Sequence, residues 1–127
     1  MALYAQITSI SAPSEALPGD LVDITVTIKN LYSSAIGIMV GGALEYGVSP
    51  WPGIDFPDNW DNVDAGASRS FGGSFTMPDK KVTIHAYSYY YASDGYWYFD
   101  DEKTKNVSLA TLTPQVSEFR IADFYKV

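Results

Sequence analysis

His85 is the only histidine in this 127-residue chain, and there is no cysteine. One imidazole cannot build a multi-histidine metal centre, and without thiolates neither a disulfide nor a cysteine–zinc site can form. To act as a catalytic base, His85 would need a serine and an aspartate brought to it by the fold alone. The chain has neither a Gly-x-Ser-x-Gly elbow nor a His-Glu-x-x-His pair, so His85 reads as an ordinary strand residue. Asp100-Asp101 is a formal carboxylate pair, but neighbours on a strand point to opposite faces, and these two read as solvated turn residues. Gly41-Gly42 and Gly72-Gly73 fall inside strand-like runs and do not form a phosphate-cradling loop. No catalytic residue is assigned, and the chain is expected not to be an enzyme.

Hard oxygen donors concentrate in one stretch. Asp55-Phe56-Pro57-Asp58-Asn59-Trp60-Asp61-Asn62-Val63-Asp64 carries four aspartates and two asparagines, the donor type of which calcium takes roughly six to eight. Asp58, Asp61 and Asp64 are the calcium candidates, and no other cofactor is implied. The stretch lacks the central glycine and closing glutamate of an EF-hand loop. Aspartate and asparagine are also what ordinary turns use, because their side chains bond nearby backbone amides. An acidic surface loop is therefore the competing reading.

The chain holds ten tyrosines, six phenylalanines and three tryptophans, and six of the tyrosines lie between Tyr87 and Tyr98. Tyr87, Tyr89 and Tyr91 share one face of a strand, and Tyr96, Trp97 and Tyr98 return beside them after Ser93-Asp94-Gly95, a good hairpin signal. Trp51 and Trp60 lie in the long segment upstream and can join the same patch. Such a cluster has three readings: cross-strand packing that holds the hairpin together, an anchor for a protein partner, or a platform on which sugar rings stack.

The elements that must carry these residues are strands. Residues 21–30 alternate strictly, with Val22, Ile24, Val26 and Ile28 on one face and Asp23, Thr25, Thr27 and Lys29 on the other. Further strand-like runs cover residues 3–10, 36–46, 70–77, 81–91 and 107–110. They are separated by a long irregular segment over 47–66 and a charged turn over 100–106. Eleven of the fifteen acids are aspartate, which favours turns over helix interiors. The expectation is an all-β, immunoglobulin-like antiparallel β-sandwich of about seven to nine strands. The most apolar run, residues 35–44, is far shorter than the ~20 residues of a membrane span, and its Gly37 and Gly41 sit at a spacing that means little outside such a helix. The first residues have neither the basic nor the apolar region of a secretory signal. Fifteen acidic against eight basic residues give a net charge of −7, which argues against nucleic acid and anionic lipid as partners.

The segment Pro18-Gly19-Asp20-Leu21-Val22-Asp23-Ile24-Thr25-Val26-Thr27-Ile28-Lys29-Asn30 resembles the second-strand signature of prokaryotic immunoglobulin-like modules, most closely the CARDB type (cell-adhesion-related domains of bacteria and archaea). Val63-Asp64-Ala65-Gly66-Ala67-Ser68 followed by Phe71 and Phe75 is similar to the family's Ala-Gly-Ser turn and next strand, and Val82-Thr83-Ile84 to its late strand. The resemblance covers about residues 3–110. It departs from the family at Leu31-Tyr32, where a small residue is usual, and at Asp101-Glu102-Lys103-Thr104-Lys105-Asn106, which replaces the family's closing strand. It implies a sandwich fold and an interaction role, and transfers no catalytic residue.

Residues 1–110 are thus expected to form one domain, and 111–127 a C-terminal extension. Phe119, Ile121, Tyr125 and Val127 alternate with Arg120, Ala122, Phe124 and Lys126 there, giving an extra strand that covers the domain's own sheet edge or adds to a neighbouring subunit. Modules similar to the CARDB type occur on cell surfaces and on virus particles. The expected function is a structural or interaction module of a prokaryotic virus particle, decorating a capsid or associated with a tail, or of another surface assembly. Its partners would be proteins, its own copies or a capsid lattice among them. A carbohydrate-binding or adhesion module built on the aromatic hairpin is the alternative. The sequence leaves the location open between a virion surface and a cell surface.

Overall fold

The computed structural model describes residues 2–111. They form eight strands: β1 (Ala5–Ser11), β2 (Glu15–Ala16), β3 (Leu21–Asn30), β4 (Ile36–Glu45), β5 (Trp60–Val63), β6 (Ser68–Thr76), β7 (Val82–Tyr91) and β8 (Trp97–Leu109). A three-stranded sheet in the order β1-β3-β6 packs on a five-stranded sheet in the order β2-β8-β7-β4-β5. All pairings are antiparallel except β2 with β8. No helix among the described residues is long and apolar enough to cross a membrane.

The alternation of β3 does what its pattern predicts: Val22, Ile24, Val26 and Ile28 are all buried. They meet Phe71 and Phe75 of β6 and, from the opposite sheet, Ile38, Val40, Val82, Ile84 and Val107 in one apolar cluster. Burying each such side chain contributes roughly 1.5–3 kcal/mol, and that layer holds the two sheets face to face.

Two expected loops are structured. The charged turn predicted over 100–106 is instead the middle of β8. A register shift opposite Ser88 and Tyr89 inserts Asp100 as an extra residue, and the resulting bulge re-aims its side chain. Asp100 and Asp101 therefore do not point to opposite sides. The Asp100 carboxylate accepts the N–H groups of Leu3, Tyr4 and Ala5 at 2.8, 2.9 and 2.6 Å. Asp101, buried, accepts that of Ile7 at 3.0 Å. The Ser88 hydroxyl donates to the Ala5 carbonyl beside them at 2.6 Å. These three side chains of the five-stranded sheet fasten the start of β1.

The segment predicted as irregular over 47–66 contains β5. It also crosses between the sheets through bridges Ala43–Gly53 and Asp55–Ser74, which bury Ile54 and Phe56. Gly42 and Gly73 make this crossing possible, because a Cβ on Gly73 would lie 2.6 Å from the Phe56 ring and one on Gly42 would lie 2.9 Å from Ile54. The tail candidates Phe119, Ile121 and Tyr125 lie outside the described residues.

Candidate functional site

Because β7 alternates, Val82, Ile84, Ala86 and Ser88 face the core while His85, Tyr87, Tyr89 and Tyr91 face outward. Registry then decides what stands beside them. On β8, Tyr91 is opposite Trp97, and Tyr89 is opposite Phe99. On β4, Tyr89 is opposite Met39 and Tyr87 opposite Gly41, while Trp60 of β5 is opposite Met39. Trp60, Met39, Tyr89, Tyr91, Trp97 and Phe99 are therefore neighbours on one outward face.

The rings interlock edge to face. Trp97 meets Trp60 at 6.1 Å and Tyr91 at 5.1 Å between centroids, and Phe99 meets Tyr87 at 6.1 Å and Tyr89 at 6.0 Å. Each such pair stabilises its geometry by ~0.5–1.5 kcal/mol beyond burial. Gly37 makes the close fit possible. A Cβ on Gly37 would stand 3.2 Å from the Trp97 ring and 3.1 Å from the Cβ of Tyr91, and one on Gly41 would stand 3.5 Å from Tyr89. The face stays open to water all the same, with Trp60 53%, Phe99 57% and Tyr91 47% exposed.

Of the residues singled out from the sequence, Tyr87, Tyr89, Tyr91, Trp97 and Trp60 come together here. Tyr96 does not: it lies at the hairpin tip, 68% exposed, and its ring pairs with no other described ring. Phe99 and Met39 are additions. Phe99 was legible as the i+2 neighbour of Trp97, whereas Met39 joins through strand pairing alone. Tyr90 and Tyr98 belong to a second group. They face the end of the sandwich, stacked at 5.7 Å, and Tyr4 meets Tyr90 edge-on at 4.8 Å.

Trp51 lies on the same outer side, stacked on the His85 ring at 4.4 Å. His85 is more than a strand filler. Its Nδ1 is 2.7 Å from a Glu102 carboxylate oxygen and its Nε2 is 2.8 Å from one of Glu45. Burial by itself would lower the imidazole pKa, but the bonds to Glu102 and Glu45 outweigh it and raise the value above the ordinary 6.5. With a carboxylate on each nitrogen, the protonated ring, in which both nitrogens donate, is the form this arrangement favours. The two carboxylates sit on opposite sides of the ring, so the group is an ion-paired clasp for Trp51 and not a chelate. Burial and the Glu102 charge also push the Tyr87 hydroxyl pKa upward.

The calcium candidates are not gathered. Asp61 is held by Arg69, whose Nε donates at 2.9 Å and draws the carboxyl below its ordinary 3.8. Asp58 and Asp64 are exposed, and among the described residues no three acidic or histidine side chains form a metal-sized group.

No family model matches the sequence, and no curated protein matches it. Solved structures do match by shape. A CARDB domain of Pyrococcus furiosus, in complex with di-metal ions, superposes with a TM-score of 0.58 at 13% identity, over 84% of this chain and 90% of that one. The chain has the CARDB-type fold. The same fold relates it to a protein described as ApaA from Bordetella pertussis, with a TM-score of 0.56 at 12% identity over 82% and 95% of the two chains. The third likeness is to the alkylpurine DNA glycosylase AlkC of Pseudomonas fluorescens, with a TM-score of 0.57 at 11% identity. The match takes in 83% of this chain but only 30% of that enzyme. At these identities the CARDB-type likeness is one of architecture. The Asp101–Asn106 departure from the family pattern leaves the closing strand intact as β8.

Proposed function

We propose that this chain is a non-enzymatic interaction module with an immunoglobulin-like sandwich, which meets a protein surface through the aromatic face of its five-stranded sheet. The first partner is a second copy of the same chain. The observation that carries this reading is the contiguous row of half-exposed rings around Trp97 and Phe99. Exposed apolar patches of this kind mark contact sites, and aromatic side chains in them supply most of the binding energy. The rings are locked against one another and against Gly37 before any partner arrives, so little side-chain freedom is lost on binding. A flat sheet face also packs readily on its own twofold copy, at the ~10 Å spacing of stacked sheets.

The finer reading places such contacts in a repeating assembly, as a capsid-decorating or tail-associated component of a prokaryotic virus particle or a component of another surface array. It rests on the CARDB-type fold together with this face. The second reading, sugar binding, is favoured on this face by one shallow groove where Trp60, Trp97 and Tyr91 stand beside Asn59 and Asn62. The rings there are inclined at 63–67° to one another, so a sugar would lie against one ring face at a time.

Sedimentation equilibrium over a wide concentration range tests the main reading. The wild-type chain is expected to associate, and Phe99→Ser is expected to stay monomeric while remaining folded, with a melting temperature lowered by the loss of its two ring pairs. A wild-type chain that is monomeric at every concentration, or a Phe99→Ser chain that associates equally well, overturns it.

A further inference from the structure

At the end of the sandwich a groove of about 620 Å³ opens between the β3–β4 loop, the β7–β8 hairpin and the residues ahead of β1. Tyr4, Tyr32, Tyr90, Tyr91, Asn62 and Ser93 supply its polar groups, and the rest of its lining is glycine, alanine and Ile36. None of these residues carries a charge, on a molecule with fifteen acidic and eight basic side chains. Two acids beside the groove are already engaged. Asp100 accepts the N–H groups of Leu3, Tyr4 and Ala5, and Asp94 accepts the N–H of Tyr96 and the hydroxyl of Tyr98. The walls are also fixed: Tyr4 stands edge-on to Tyr32 at 5.1 Å and to Tyr90 at 4.8 Å. Among the described residues, the hydroxyls of Tyr4, Tyr32, Tyr90 and Tyr91 make no hydrogen bond to the protein.

We propose that this groove binds a neutral oligosaccharide. A sugar ring is amphipathic in the way these walls are. Its C–H faces lie against aromatic rings, and its hydroxyls each donate and accept, as phenol, amide and serine side chains do. An anionic or cationic ligand would have to give up solvent for a site that offers no counter-charge. A peptide adding as a strand would need an open backbone edge, and this groove is walled by side chains. The site does not rest on the proposed protein contact, although Gly37, Asn62 and Tyr91 border both grooves. The variants that test it are therefore drawn from residues of the end groove alone.

The probe is an array of neutral hexose and N-acetylhexosamine oligosaccharides printed beside sialylated and sulfated ones, followed by calorimetry with the best neutral binder. Binding confined to neutral saccharides is expected. Tyr32→Ala should weaken it by about tenfold or more, and Tyr32→Phe, which removes only the hydroxyl, by a few-fold. Trp60→Ala, on the outer face, should leave it within about twofold. If Tyr32→Ala fails to fold, Tyr32→Phe and Ser93→Ala carry the test. The proposal is overturned by a folded protein that binds no neutral saccharide or that prefers the charged ones. It is also overturned by binding that Trp60→Ala abolishes while the Tyr32 variants leave it intact. That last result would place the sugar on the outer face and speak against the protein-contact reading, whereas the first two leave that reading untouched.

Discussion

His85 shows how much of a site depends on residues far apart in the chain. Its two carboxylate partners lie 17 and 40 residues away, so no local pattern marks the group, and a lone histidine on a strand reads as an ordinary strand residue. Its raised pKa has a definite sign. Stability from the ion-paired imidazolium is fully present below the unfolded value of about 6.5 and is lost as pH rises through the higher folded value. Because Glu45 and Glu102 are themselves partly exposed, the contribution is about 1 kcal/mol at most. Urea unfolding should show a larger gap between wild type and His85→Gln at about pH 5.5 than at about pH 8.5. In an NMR titration the His85 pKa should fall in Glu102→Gln. An equal gap at both pH values and an unmoved titration would contradict the ion pair. Gly37 makes a second residue-scale case. An alanine there places its Cβ 3.1–3.2 Å from Tyr91 and Trp97 and should cost about 1–3 kcal/mol. Gly41→Ala, whose Cβ would meet the Tyr89 ring at an ordinary contact distance of 3.5 Å, should be tolerated. Comparing the two by thermal melts separates displacement of Trp97 from a general dislike of alanine in β4.

Strands with one core face were legible because a period of two leaves no choice of face. β3 matches its sequence pattern from end to end, and β7 does so within a residue. The sequence does not announce the two short strands, β2 and β5, which exist only through their partners in β8 and β4. Nor does it announce the bulge at Asp100. A charged run within a strand looks like a turn until something polar needs it, and here the backbone of β1 does. Asp101→Ala should cost about 1–3 kcal/mol by leaving the buried Ile7 N–H without its acceptor. Asp101→Asn, which keeps an acceptor, should cost less. Hydrogen exchange should speed up along β1 in the alanine variant while β7 stays protected. Uniform loss of protection would contradict the view that Asp101 fastens β1 in particular.

At the scale of the whole molecule, the aromatic excess divides between two surfaces. Alternation sends Tyr87, Tyr89 and Tyr91 outward and Tyr90 to the sandwich end, so residues adjacent in sequence serve different faces. The sequence shows that the rings are many and that eight of the nineteen lie between Tyr87 and Phe99. Only the pairing of β4, β5, β7 and β8 shows that Trp60, Met39 and Phe99 complete the outward face. All three tryptophans, Trp51, Trp60 and Trp97, lie on that face, so intrinsic fluorescence reports on it directly. The decisive measurement is tryptophan emission and acrylamide quenching followed across the concentration range in which the sedimenting mass rises. If the aromatic face is the contact surface, emission shifts to the blue and quenching falls in step with association. An association that leaves tryptophan emission and quenching unchanged would contradict the account, because the contact would then be made by another face.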